Sequence, residues 1–243
     1  MKIIMKKSLQ ILIVLTCTLT LVFGQTVIRD DFSNLDNWSE LTFPKITNHT
    51  LYQVELQNDD TVLRASTDSS ASGLVFNKHF NVYETPLVRW RWKISNVFVN
   101  GDATRKSGDD FALRIYVMFE YDSETAGFFE KALFESLKLI YGEYPPYKSL
   151  NYIWANRQHR KYILPNTYTD RAQMIAVESG RANVGKWLTE EVDVLADYRL
   201  TFGADPPRQA SLAIMSDSDN TGESARAYLD FIEVLNIQER RDK

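Results

Sequence analysis

The run from Leu87 to Ile94 constrains this chain more than any other segment. Val88, Trp90, Trp92 and Ile94 alternate one by one with Arg89, Arg91 and Lys93. Only an extended backbone, whose successive side chains point to opposite faces, sorts such a series into one apolar face and one charged face. The stretch from Asp110 to Tyr121 repeats the pattern. It predicts Phe111, Leu113, Ile115, Val117 and Phe119 pointing inward, with Asp110, Arg114, Tyr116 and Glu120 pointing outward.

The same reading, applied to apolar runs bounded by Asn, Asp, Gly, Ser and Pro, predicts further strands over 27–32, 52–56, 62–66, 73–76, 174–178, 187–194, 210–215 and 227–235. Strands that follow one another without helices between them exclude an alternating βαβ chain. They predict a mainly β protein, an antiparallel jelly-roll-like β-sandwich. One interruption lies over about 123–142, where Phe128, Phe129, Ala132, Leu133, Leu137 and Ile140 recur at intervals of three and four. That spacing predicts a helical insertion of about four turns, with Gly142 as its stop and Tyr144-Pro145-Pro146-Tyr147 as a stiff connection.

The first residues read as a secretory signal peptide: Lys2, Lys6 and Lys7, then apolar sequence through Phe23, then Gly24. Cleavage after Gly24 would leave residues 25–243 as one sandwich domain without a stable membrane span, periplasmic or secreted. The rival for this segment is lipidation at Cys17. Cys17 is the only cysteine of the 243 residues, so the exported chain would hold no disulfide and would depend on its hydrophobic core. Removing Lys2, Lys6 and Lys7 from the 28 basic side chains leaves 25 against 32 acidic ones, a net charge near −7. Such a surface argues against nucleic acid and anionic membranes, which require clustered positive charge.

Three constellations invite chemistry. Gly180-Arg181-Ala182-Asn183-Val184-Gly185-Lys186-Trp187 has the glycine and lysine spacing of a phosphate loop. It lacks the closing Ser or Thr and is followed by strand-like rather than helical sequence, which argues against nucleotide as its ligand. Asp217-Ser218-Asp219-Asn220-Thr221-Gly222 crowds oxygens as a calcium loop does, but position twelve is Tyr228 where a bidentate Glu belongs. A tight turn is the simpler account and predicts no cofactor, while calcium at Asp217 and Asp219 stays open. The third is the outward set Arg89, Arg91, Asp110, Arg114, Tyr116 and Glu120, which would converge on one ligand if the two long strands were neighbours. A cross-strand ion lattice is its plainer alternative. No Gly-x-Ser-x-Gly elbow or His-Glu-x-x-His pair occurs, and His49, His79 and His159 are scattered. Among the tryptophans, Trp90 and Trp92 fall on the apolar face, which leaves Trp154 as the expected exposed platform.

The segments Arg89 to Lys93, Gly108 to Val117, Tyr152-Ile153-Trp154 and Met215 to Gly222 together resemble a bacterial exported family known as domain-of-unknown-function family 3047. Separately, Arg29-Asp30-Asp31-Phe32, Leu35-Asp36-Asn37-Trp38 and Tyr228 to Ile232 look like the first and last strands of jelly-roll sugar-binding modules and concanavalin-like glucanases. The first resemblance transfers no catalytic residue, and the second implies a fold. The resulting expectation is a non-catalytic module for a carbohydrate or other polar ligand, with Arg91, Asp110, Arg114, Tyr116, Glu120, Trp154, Asp217, Asp219 and Asn220 as candidate ligand residues. A polysaccharide hydrolase or lyase using two of Asp110, Glu120, Asp217 and Asp219 is the second reading, and a structural envelope protein the third.

Overall fold

A computed structural model describes residues 23–238, apart from 59, 125, 142, 143 and 161. The expected signal sequence up to residue 22, Cys17 and the Gly142 stop lie outside the described residues. In chain order the strands are β1 (Phe23–Asp30), β2 (Trp38–Leu41), β3 (Leu51–Gln57), β4 (Asp60–Asp68), β5 (Ala71–Asn81), β6 (Leu87–Ile94) and β7 (Phe111–Phe119). Helix α1 (Phe128–Tyr141) is followed by β8 (Lys148–Ala155), β9 (Ile163–Pro165), β10 (Ala172–Ser179) and β11 (Leu188–Asp193). Helix α2 (Val194–Phe202), β12 (Gln209–Asp217) and β13 (Ser224–Gln238) complete the order.

Two sheets face each other, as the alternation in β6 and β7 requires. The first runs β11-β6-β13-β4-β3, with β1 added along β13. The second runs β2-β5-β12-β7-β8-β10-β9. Their facing sides fill with Trp90, Trp92, Leu113, Ile115, Val117, Phe119, Tyr152, Trp154, Ile214 and Val234, all essentially without exposure. Tryptophan rings dominate the interior: Trp92 lies 5.7 Å from Trp90 and 5.6 Å from Trp154, centroid to centroid. Burial of such rings supplies most of the driving force for a core without disulfides.

Several departures from the sequence expectation have identifiable causes. β8 pairs with β10 in parallel, because the segment between them crosses over through the β9 hairpin arm instead of turning back directly. β8 went unread because Leu150, Tyr152 and Trp154 enter the main core while Ile153 and Ala155 enter a second apolar cluster on the other side, which erases the alternation. A bulge opposite Met215 and Asp217 turns Phe111 around: Ala112 and Leu113 both face the main core, and Phe111 joins that second cluster. Helix α2 follows β11 without a loop. Asp193 caps it by accepting from the Ala196 amide at 2.9 Å, and Gly203 ends it at a φ of 65°. The helical insertion is present, but spans Phe128–Tyr141, with residues 123 and 124 in a turn.

The largest correction concerns the proposed shared polar face. β6 and β7 belong to different sheets, so Arg91 and Arg114 lie on opposite outer surfaces of the sandwich. On the first sheet the outward charges form the plainer lattice. Arg89 donates to Glu233 at 2.6 and 2.8 Å, Arg91 to Asp230 at 2.6 Å, and Arg64 to Glu55 at 2.8 Å.

Candidate functional site

Among the described residues, sequence-predicted candidates meet on the outer face of the second sheet. Arg114 projects from the middle of β7, next to Met215 and Asp217 on β12, and is 4% exposed. Its guanidinium sits over the ring of Phe111 at 4.9 Å and near that of Tyr116 at 5.7 Å. The β7 bulge makes this stacking available, since a regular strand would have sent Phe111 to the opposite face.

Around this cation the acidic residues divide their work. Asp217 accepts from Arg114 Nη2 and, at 3.2 Å, from the Phe111 amide. Asp109 accepts from Arg114 Nη1 at 3.4 Å and from the Thr167 hydroxyl at 3.4 Å. Asp110 ties down the turn after β12, accepting from the Thr221 amide at 2.6 Å and from Asn220 Nδ2 at 3.0 Å. Its own carbonyl accepts from Asn156 Nδ2 at 2.7 Å, while Asn156 Oδ1 holds the Phe98 amide at 2.8 Å. A Cβ on Gly101 would overlap the Asn156 amide, so only glycine fits beneath this clamp.

Burial and charge set the protonation tendencies. Burial opposes the charge on Arg114, but Asp217 and its neighbours overcome that and hold the guanidinium firmly protonated. Burial pushes the Asp217 carboxyl up, with Arg114 and the Phe111 amide pulling against it. The Tyr116 hydroxyl is raised by burial and stays neutral, accompanied by the Met215 sulfur at 3.5 Å. Asp219 is exposed and has no side-chain partner in another residue among those described; partial desolvation and the nearby Asp110 raise its carboxyl.

Above this floor opens a cleft of about 550 Å³ walled by Phe43, Pro44, Ile46 and Tyr168, with Asp219 and Asn220 on its side. Tyr168 is 56% exposed, and its hydroxyl lies 3.2 Å from Asn220 Oδ1. Arg114 lines the floor, and its Nε is a buried donor with no acceptor among the described residues. An unmet buried N–H is costly, so this floor carries a polar group that the described residues leave unpaired.

Of the sequence candidates, Asp110, Arg114, Tyr116, Asp217, Asp219 and Asn220 gather here. Arg91 does not, being on the other sheet. Glu120 lies just beyond the end of β7 and faces His79 Nδ1 at 3.0 Å, outside the cleft. Trp154 is no platform: it is 1% exposed, buried in the core, and donates from Nε1 to the Gly180 carbonyl at 3.0 Å. The walls Phe43, Ile46 and Tyr168 went unread, although Phe43-Pro44-Lys45-Ile46 carries the signal of apolar residues set in a loop beside proline.

Asp110, Asp217 and Asp219 do offer carboxylate oxygens within 4.8 Å of one another. Calcium takes six to eight oxygens, however, and here Asp217 is spent on Arg114, Asp110 on two amides and an Asn, and a buried guanidinium stands alongside. The donor set as placed does not fit that ion.

Fold and site together define a mostly β, two-sheet jelly-roll-like sandwich with a ligand-sized cleft on one outer face. The chain belongs to the family described as protein of unknown function (DUF3047), which matches residues 36–233. No curated protein is detectably similar in sequence. Among solved structures it is similar to a family 11 carbohydrate-binding module from Clostridium thermocellum in complex with a β-1,3-1,4-mixed-linked tetrasaccharide. That match has 12% identity and a TM-score of 0.44, covering 89% of this chain and 98% of the other. A cellulase derived from Cel12A of Rhodothermus marinus gives 11% and 0.42 over 88% and 99%. A Bauhinia forficata lectin in complex with GalNAc gives 10% and 0.41 over 89% and 97%.

Proposed function

We propose that the protein is an exported, non-catalytic module that binds a carbohydrate or similarly hydroxyl-rich ligand in the cleft above β7 and β12. One observation carries this reading: Arg114, whose Nε finds no acceptor among the described residues, lines a cleft whose walls include aromatic and aliphatic side chains. Sugar rings present apolar faces to rings such as Tyr168 and Phe43, and hydroxyls to polar side chains such as Asn220 and Asp219. Export rests on the basic-then-apolar first residues; among the described residues no helix is long and apolar enough to cross a membrane.

A hydrolase needs two carboxyl groups free to act as acid and as base or nucleophile. Asp109, Asp110 and Asp217 are each committed to protein donors, which leaves Asp219 alone and favours binding over catalysis. The test is a glycan array followed by calorimetry on the purified protein. A ligand should be found, and Tyr168→Ala, at an exposed position, should weaken it at least about tenfold while leaving the unfolding midpoint in place. Absence of any glycan ligand, or binding indifferent to both Tyr168→Ala and Phe43→Ala, would overturn the proposal.

A further inference from the structure

Helix α1 wears its amphipathic pattern inside out. Phe134 is fully buried, its ring stacked 3.9 Å from Tyr121, and it anchors the helix to the sandwich. Charged side chains share that inner half: Glu130 bonds Tyr147, and Lys138 Nζ lies 4.3 Å from the Tyr144 ring centre. At 3.6 residues per turn the opposite half carries Phe128, Phe129, Ala132, Leu133, Ser136 and Leu139. Phe128 is 80% exposed, Phe129 88% and Leu139 88%. A surface helix ordinarily turns such residues to the core, and a contiguous apolar patch of this kind marks an interaction site.

We infer that this face is the contact through which two copies of the chain associate, helix against antiparallel helix. Small Ala132 and Ser136 lie one turn apart on the midline, with the large side chains toward both ends. A twofold axis between them sets Ala132 of one copy against Ser136 of the other and Phe129 against Leu139, so one surface complements itself. The polar groups of the face are already satisfied. Ser136 Oγ donates to the Ala132 carbonyl at 2.9 Å, and Glu135, at the border, accepts from the Tyr144 hydroxyl. Covering the large side chains on both copies removes on the order of 1,000 Å² from water, the size at which specific interfaces begin. A bilayer is the poorer partner, because this face bears no basic residue to engage lipid headgroups.

Sedimentation equilibrium over a concentration series tests the inference. A monomer–dimer equilibrium is expected, with Phe129→Glu raising the dissociation constant on the order of a hundredfold and leaving the unfolding midpoint unchanged at concentrations where the parent is monomeric. In a Cys17→Ser background, chains carrying Ala132→Cys mixed with chains carrying Ser136→Cys should cross-link faster than either alone. A monomer at every concentration would overturn the inference, as would a dimer insensitive to both Phe129→Glu and Leu139→Glu. Flotation of the monomer with phosphatidylcholine vesicles, lost in Phe129→Glu, would reassign the face to lipid.

Discussion

At the scale of single residues, Arg114 and Asp217 are a pair whose members depend on each other. Arg114→Ala would leave Asp217 buried beside no cation, at a cost of about 3–5 kcal/mol, whereas Arg114→Ala with Asp217→Ala should recover part of that loss. Chemical denaturation of the two variants checks this; equal stability losses for single and double variants would contradict it. The same pairing predicts that calcium or a chelator leaves the unfolding midpoint unchanged, which differential scanning calorimetry reads directly. A rise with calcium would show that the carboxylates exchange Arg114 for the ion. Asp110 acts on the backbone: Asp110→Ala frees the amide of Thr221 and the side chain of Asn220, at about 1–3 kcal/mol, and loosens the cleft wall. Much of this arrangement is legible in the sequence as residue type, since Asp110, Arg114, Asp217 and Asp219 stand out there. Their roles are not, because the bulge at Ala112-Leu113 decides which face Phe111 takes, and no residue type announces it.

At the scale of elements, α2 is tied to the second sheet through Tyr152 on β8, whose hydroxyl donates to Asp197 Oδ2 at 2.9 Å. Burial raises the Asp197 carboxyl above its ordinary range, and the Tyr152 bond pulls it back only in part. A carboxyl raised on folding binds more protons in the folded state, so its effect on stability worsens as pH rises through the raised value. Asp197→Asn keeps an acceptor for Tyr152 and removes that charge. Its stability advantage over the parent should therefore grow from about pH 4 to about pH 7. Melting curves that run parallel over this range would refute the assignment. α2 is also an element whose signals were present and unread: Asp193 and Gly203 bracket it, but nine residues with Val194 and Tyr198 buried one turn apart show too little periodicity to stand out. The long alternation in β6 is legible because one of its faces meets water; that of β8 is hidden because neither does.

At the scale of the whole molecule, the architecture follows from strands that alternate. The cleft follows from loops whose meeting the local sequence does not encode: Phe43 precedes β3, Tyr168 lies between β9 and β10, and Asp219 follows β12. The most consequential element is the last. β13 lies between β6 and β4 and also pairs with β1, so residues 224–238 supply β1 with its partner and join β6 to the β3–β4 pair. A chain emerging amino end first thus keeps its first sheet incomplete until residues 224–238 arrive. Deleting residues 224–238 should leave a protease-sensitive, non-cooperative chain, and a cooperative melt after that deletion would refute this. The keystone follows every other described strand, and the first sheet closes only once it is in place.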